Sequence, residues 1–197
     1  MVRPDDEVPH ALTRVDPVVL RHHHGALRLL GVLAWLGAAM PALAADAAPK
    51  AGPCASAKHR QFDFWRGSWE VRDAKGKRVG SNRINALYQG CALQENWNGA
   101  GGHSGTSLNV YDADTKRWHQ TWVDNGGGLL LLDGELVNGS MVLAGDSKPS
   151  GADAKSTRQR ITWTPLPDGR VRQLWESSED RGGTWTVVFD GYYTKLP

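Results

Sequence analysis

A surplus of either charge is missing from this chain. Its 23 Lys and Arg residues face 21 Asp and Glu, and neither sign is gathered into a block. That excludes the basic face of a nucleic-acid binder and the polybasic patch of a membrane-surface protein. Motifs for covalent or metal chemistry are also missing. There is no Gly-x-Ser-x-Gly, and Gly126-Gly127-Gly128 is not followed by Lys-Ser/Thr, so neither a nucleophile elbow nor a phosphate loop is present. Asp112-x-Asp114-x-Lys116 lacks the central Gly and distal Glu of a calcium loop, and His59, His103 and His119 have no metal-ligand spacing. No metal site and no cofactor is implied.

Long apolar runs are scarce too. The one in the chain, Leu29 to Ala39, is too short and too rich in Ala and Gly to span a membrane as a helix. Arg21 to Arg28 precedes it, and Ala42-Leu43-Ala44 follows as a small-x-small cleavage site. This is the build of a secretory signal peptide, so residues 1–44 read as leader and signal peptide with cleavage after Ala44. The protein is expected in the periplasm or secreted. Residues 45–57, mostly Ala, Pro and Gly, read as a linker, and 58–197 as the folded domain. Only two cysteines are present, Cys54 and Cys91, both in the exported part. An even pair in an oxidising compartment reads as a disulfide.

What is abundant is tryptophan, nine residues in all. Ser56 is placed to cap a short plug helix running through Phe64, with Phe62 and Trp65 on one face. From Gly67 onward the pattern changes to alternation. Short strand-like runs begin at Trp69, Lys77, Cys91, Thr106, Arg117, Leu129, Met141, Arg158, Val171 and Thr184, separated by turn signals such as Asp73-Ala-Lys-Gly76 and Pro167-Asp168-Gly169. Gly145 to Lys155 reads as a polar loop. About ten strands with hairpin-length turns predict an all-β fold, an antiparallel up-and-down barrel without exposed edges.

Phe62-Asp-Phe-Trp65 leading into Gly67-Ser-Trp69-Glu-Val71 resembles the opening of lipocalin-like (calycin) barrels. There a plug precedes a Gly-x-Trp whose Trp closes the barrel floor. The resemblance implies closure by Phe62, Trp65, Gly67 and Trp69. The mature chain also resembles a family of uncharacterised exported bacterial proteins, the DUF1579 type. The matching blocks are FDFWRGSWEV (62–71), GCALQENW (90–97), YDADTKRWHQTWVD (111–124), RITWTP (160–165) and VRQLWE (171–176). That resemblance implies no established activity. A nitrobindin-like haem barrel does not fit, because Glu70-Val71-Arg72 breaks its glycine motif and no His follows His119.

In a closed barrel one parity of each strand faces the lumen. If that is the Trp parity, the lumen receives Trp69, Trp97, Trp118, Trp122, Trp163, Trp175 and Trp185, with Glu95, Gln120, Gln159 and Gln173 among them. Large aromatics with a few placed polar groups make a small-molecule pocket, and the alternative is an interior simply filled by these side chains. The candidate ligand-binding set is Glu95, Trp97, Gln120, Trp122, Gln159, Trp163, Gln173 and Trp175. No Lys or Arg shares the parity of Glu95 on neighbouring strands, so Gln amides or a ligand must satisfy its carboxyl if it is buried. Arg158, Arg160, Arg170, Arg172 and Glu176 fall on the opposite parity, as an outer charge ladder. The expected function is binding of a small, partly apolar molecule. Two alternatives stand beside it: a lyase or isomerase using Glu95 as acid/base, and a solid-core interaction module. In the enzyme alternative a neighbouring amide or Arg completes the acid/base pair with Glu95, no catalytic residue is assigned, and nothing in the sequence speaks to oligomeric state.

Overall fold

The strand-like runs do form strands. The computed structural model describes residues 52–147 and 155–197, all within one compact unit. The expected leader, the signal-peptide cleavage site and residues 45–51 of the linker lie outside the described residues. Ten strands follow in order: β1 Gly67–Asp73, β2 Arg78–Leu87, β3 Ala92–Gly99, β4 Ser104–Asp112, β5 Arg117–Asp124, β6 Leu129–Val137, β7 Ser140–Ser147, β8 Thr157–Pro165, β9 Val171–Ser178 and β10 Thr186–Lys195. Each pairs with the next, and β1 closes on β10 from Trp69↔Lys195 to Asp73↔Gly191, giving a closed antiparallel barrel.

Aspartates set several of the turns. The Asp73 carboxylate accepts the amides of Lys75 and Lys77, both at 2.9 Å. Asp112, Asp124, Asp168 and Asp180 do the same for the turns they open. These are side-chain mimics of backbone turns, and they bring each strand back beside its predecessor. Gly145 to Ser147, expected in a loop, belong to β7 and pair with β8 through Gly145↔Gln159 and Ser147↔Thr157. Residues 148–154 lie outside the described residues.

One end of the barrel is shut by the segment before β1. Residues 53–54 and 57–62 form turns rather than the expected plug helix, and the helical element there is a single 3-10 turn, Asp63–Trp65. The Ser56 hydroxyl pairs with the His59 ring at 2.7 Å and caps no helix. Phe62 stacks on Trp65 with centroids 4.9 Å apart and meets Trp118 and Trp163 edge-on. Phe62 and Trp65 are fully buried. Polar ties orient the segment: Trp69 Nε1 donates to Trp65 O at 2.9 Å, and Trp118 Nε1 donates to Gln61 Oε1 at 3.2 Å. The Arg60 guanidinium donates to Gly90 O, and any side chain at Gly90 would collide with it. Gly67 enters β1 at φ 133°, and a Cβ there would meet the Lys195 side chain. The Cys54–Cys91 disulfide joins this segment to the β2–β3 corner. Its 37-residue separation gives about 3–4 kcal/mol of loop entropy removed from the unfolded chain.

The outer wall carries the expected charge pairs. Arg160 reaches Glu176 at 2.8 Å, Arg172 reaches Asp190 at 2.8 Å, Arg158 faces Asp146 and Arg170 faces Asp168. No helix among the described residues is long and apolar enough to cross a membrane.

Candidate functional site

With one end shut, the open volume lies toward the other, where the β3–β4 and β9–β10 connections sit. A cavity of about 360 Å³ occupies it. Its walls are Trp97, Trp122, Trp163, Trp175, Phe189, Leu130 and Ile161, with Glu95, Gln120, Gln173 and Tyr193 as the polar groups among them. The rings leave space because small residues let them lie against the wall. A Cβ at Gly80 would overlap the Trp97 ring, one at Gly105 the Trp122 ring, and one at Gly191 the Phe189 ring. Gly80 and Gly105 lie diagonally across the ladder from their rings, two residues from the partners Asn82 and Ser107. Gly191 follows Phe189 by two residues on β10.

Glu95 is the chemical centre. It sits mid-strand on β3, paired with Ile84 on β2 and Ser107 on β4, and is 4% exposed. Asn82 Nδ2 donates to its Oε1 at 2.6 Å, and Ser107 Oγ donates to its Oε2 at 2.7 Å. Ser107 in turn accepts from Asn109 Nδ2 at 2.9 Å, and Gln120 Nε2 donates to Asn109 Oδ1 at 2.8 Å. On the other side Asn82 Nδ2 also reaches the Tyr193 hydroxyl at 3.3 Å, and that hydroxyl donates to Gln173 Oε1. A continuous hydrogen-bonded belt thus runs from β9 through β10, β2, β3 and β4 to β5. Burial pushes the Glu95 pKa from 4.5 up to about 7, against the lowering effect of the Asn82 and Ser107 hydrogen bonds. Burial also raises the Tyr193 phenol well above its ordinary range, and the Glu95 charge adds to that. Among the described residues, two buried polar atoms of this region have no partner, Asn82 Oδ1 and the indole nitrogen of Trp163.

At the mouth, Asp124 organises the β5–β6 turn. The Gly128 amide, helped by the Trp122 indole and the Gly126 amide, holds its carboxyl below the usual carboxylate range. His103 stands 3.4 Å from Asp124 and lines the cavity rim.

Seven of the eight expected binding residues line the cavity: Glu95, Trp97, Gln120, Trp122, Trp163, Gln173 and Trp175. Gln159 does not. It is buried on the same strand face as Ile161 and Trp163 and accepts the Trp175 indole N–H at 2.7 Å, so orienting that ring. Of the other tryptophans expected in the lumen, Trp69 and Trp118 belong to the closed end. Trp185 is outside. It precedes β10, and a register shift between Val187 and Phe189 breaks the alternation that would align it with Phe189. Its ring covers the Arg160 guanidinium, 3.9 Å away on the outer face. The donors to Glu95 are Asn82 and Ser107, with Gln120 one link removed, rather than the Gln amides expected.

Asn82, Ser107, Asn109 and Tyr193 were missed by sequence reasoning. On β4 the usual alternation is inverted, with Ser107 and Asn109 buried inside and Leu108 half-exposed outside. Strand pairing gave one available signal: once Glu95 is set inward, its β4 neighbour must face inward too, whatever its polarity. A scan of protein-family models and a search of curated proteins found no match to this chain.

Proposed function

We propose that this barrel binds a small, partly apolar molecule in the cavity, its apolar body among the tryptophans and its polar end against the Glu95 belt. The observation that carries the reading is the open volume itself, which falls in the size range of small-molecule sites and joins an aromatic wall to a few convergent polar groups. A solid-core interaction module has no comparable support from this geometry. Kinship with lipocalin-like barrels is supported by the closed meander and by the Gly67-x-Trp69 entry into β1. Membership of the DUF1579 type rests on the sequence blocks quoted above. The Cys54–Cys91 disulfide supports export to an oxidising compartment. The test is a titration of the purified domain with a panel of small aromatic and aliphatic compounds, read by tryptophan emission and thermal shift. Saturable changes that Trp122→Phe alters and Trp185→Phe leaves alone support the reading, whereas no response across the panel refutes it.

A second reading is favoured by one observation: a carboxyl with a pKa of about 7 at the wall of a cavity is poised for proton transfer. In that reading Glu95 is the acid/base of a lyase or isomerase. Turnover of any substrate found would then vanish in Glu95→Gln while binding persisted.

A further inference from the structure

The hydrogen-bond directions in the belt are not symmetrical. Asn82 and Ser107 both donate to Glu95, and Ser107 is itself fed by Asn109 and Gln120. Donors therefore converge on the carboxyl from both sides, an arrangement that suits its anionic form. Two ionised carboxylate oxygens offer about four acceptor positions, and only two are filled by these donors. With Asn82 turned to donate, its Oδ1 is a buried acceptor that finds no donor among the described residues. The positions left open on Glu95 and Asn82 are acceptors, whereas the unpartnered donor on the cavity wall, the Trp163 indole N–H, is on β8.

No cationic side chain among the described residues balances this charge. The inward-facing titratable neighbour is Tyr193 on β10, whose hydroxyl stays protonated. At the mouth stand His103 and Asp124, paired with one another. Lys195 is at the closed end, over the Trp69 ring. Arg158, Arg160, Arg170 and Arg172 are engaged on the outer wall. Trp97, Trp122, Trp163 and Trp175 line the cavity with Glu95, and indole rings attract cations through their quadrupoles.

Resting on the binding function proposed above, we infer that the ligand is a protonated amine carrying an apolar body, its ammonium seated against Glu95 and its body among the tryptophans. The ammonium supplies the missing positive charge and N–H donors for the acceptor positions left open on Glu95 and Asn82. A carboxylic acid would set a second negative charge beside Glu95, and an alcohol would leave the carboxylate uncompensated.

Three compounds of similar size separate the possibilities: 2-phenylethylammonium, 2-phenylethanol and 3-phenylpropionate, titrated into the domain by calorimetry from pH 5 to pH 8.5. The amine keeps its charge across this range, so its pH dependence reports the protein. Its affinity should rise about tenfold for each pH unit between about 5 and 7, then level off as Glu95 becomes fully ionised. At pH 8 it should bind at least about tenfold more tightly than the alcohol, with the carboxylate weakest. Glu95→Gln should abolish the pH dependence and the preference for the amine while still binding the alcohol, which also shows that the variant is folded. If the alcohol or the carboxylate binds and the amine is no better at pH 8, the amine assignment falls and cavity binding stands. If the amine preference survives Glu95→Gln, the assignment falls as well. If none of the three binds, cavity binding by such molecules falls with it.

Discussion

Replacing Glu95 by Gln should make the protein more stable at alkaline pH, although it removes the central member of a buried network. In the folded chain the Glu95 carboxyl titrates at about 7 instead of 4.5. Between those values the folded state holds a proton that the unfolded state has released, so stability falls as pH rises. The contribution is whole below about pH 4.5, declines across the window and is gone above about pH 7. At about 1.4 kcal/mol for each pH unit, the change is about 3 kcal/mol. Gln has the shape of the protonated acid and cannot ionise. Once the Asn82 amide turns over, its oxygen takes the place of the Nδ2 that now faces residue 95 and can accept from the Gln amide. The variant should therefore match the native protein within about 1 kcal/mol at pH 5 and exceed it by about 3 kcal/mol at pH 8. Urea unfolding followed by tryptophan emission at several pH values measures this, with an expected midpoint difference of about 1–2 M at pH 8. The turn carboxylates of Asp112, Asp124 and Asp168 titrate below this window with the opposite slope, so the difference between the two proteins isolates Glu95. An unchanged slope between pH 5 and pH 7 in Glu95→Gln would refute burial as the state of this carboxyl.

The closed end and the cavity wall give three further expectations. Replacing Cys54 and Cys91 together by Ser should cost about 3–4 kcal/mol, or about 10 °C in Tm by calorimetry, and leave the far-UV spectrum β-rich. Trp65→Ala empties the centre of the Phe62–Trp163 cluster and should lower the unfolding free energy by about 3–5 kcal/mol in urea titration. Gly105→Ala drives a methyl into the Trp122 ring and the Val123 carbonyl, so both the ring and the strand backbone at the cavity wall must shift. Ligand affinity should fall by about tenfold or more, with stability reduced by about 1–3 kcal/mol.

Much of the barrel was legible because period-2 alternation and Asp/Gly turns are local signals. Trp163 with Ile161 and Gln159, or Trp175 with Gln173, announce their face within five residues. The disulfide was legible because only one pairing exists. What failed was whatever depends on the neighbouring strand. Trp185 is collinear with Phe189 in a strict alternation, but the bulge between Val187 and Phe189 turns it outward. Ser107 and Asn109 look like the solvent side of β4, yet they face inward because the partners they serve, Glu95 and Gln120, lie on β3 and β5. Ser56 carries the composition of a helix cap, but the chain there follows turns that wedge aromatic rings into the barrel end. Glu95 itself could be singled out, but its burial and its donors needed the strand register.

Uptake of a small molecule by the cavity that Glu95 and the tryptophans line is tested most directly by the indole N–H resonances of the assigned domain during titration with 2-phenylethylammonium at pH 8. Saturable shifts are expected at Trp97, Trp122, Trp163 and Trp175, with Trp65, Trp69, Trp118 and Trp185 unmoved. Shifts confined to Trp185 or to the outer wall, or no shifts at all, would contradict cavity binding.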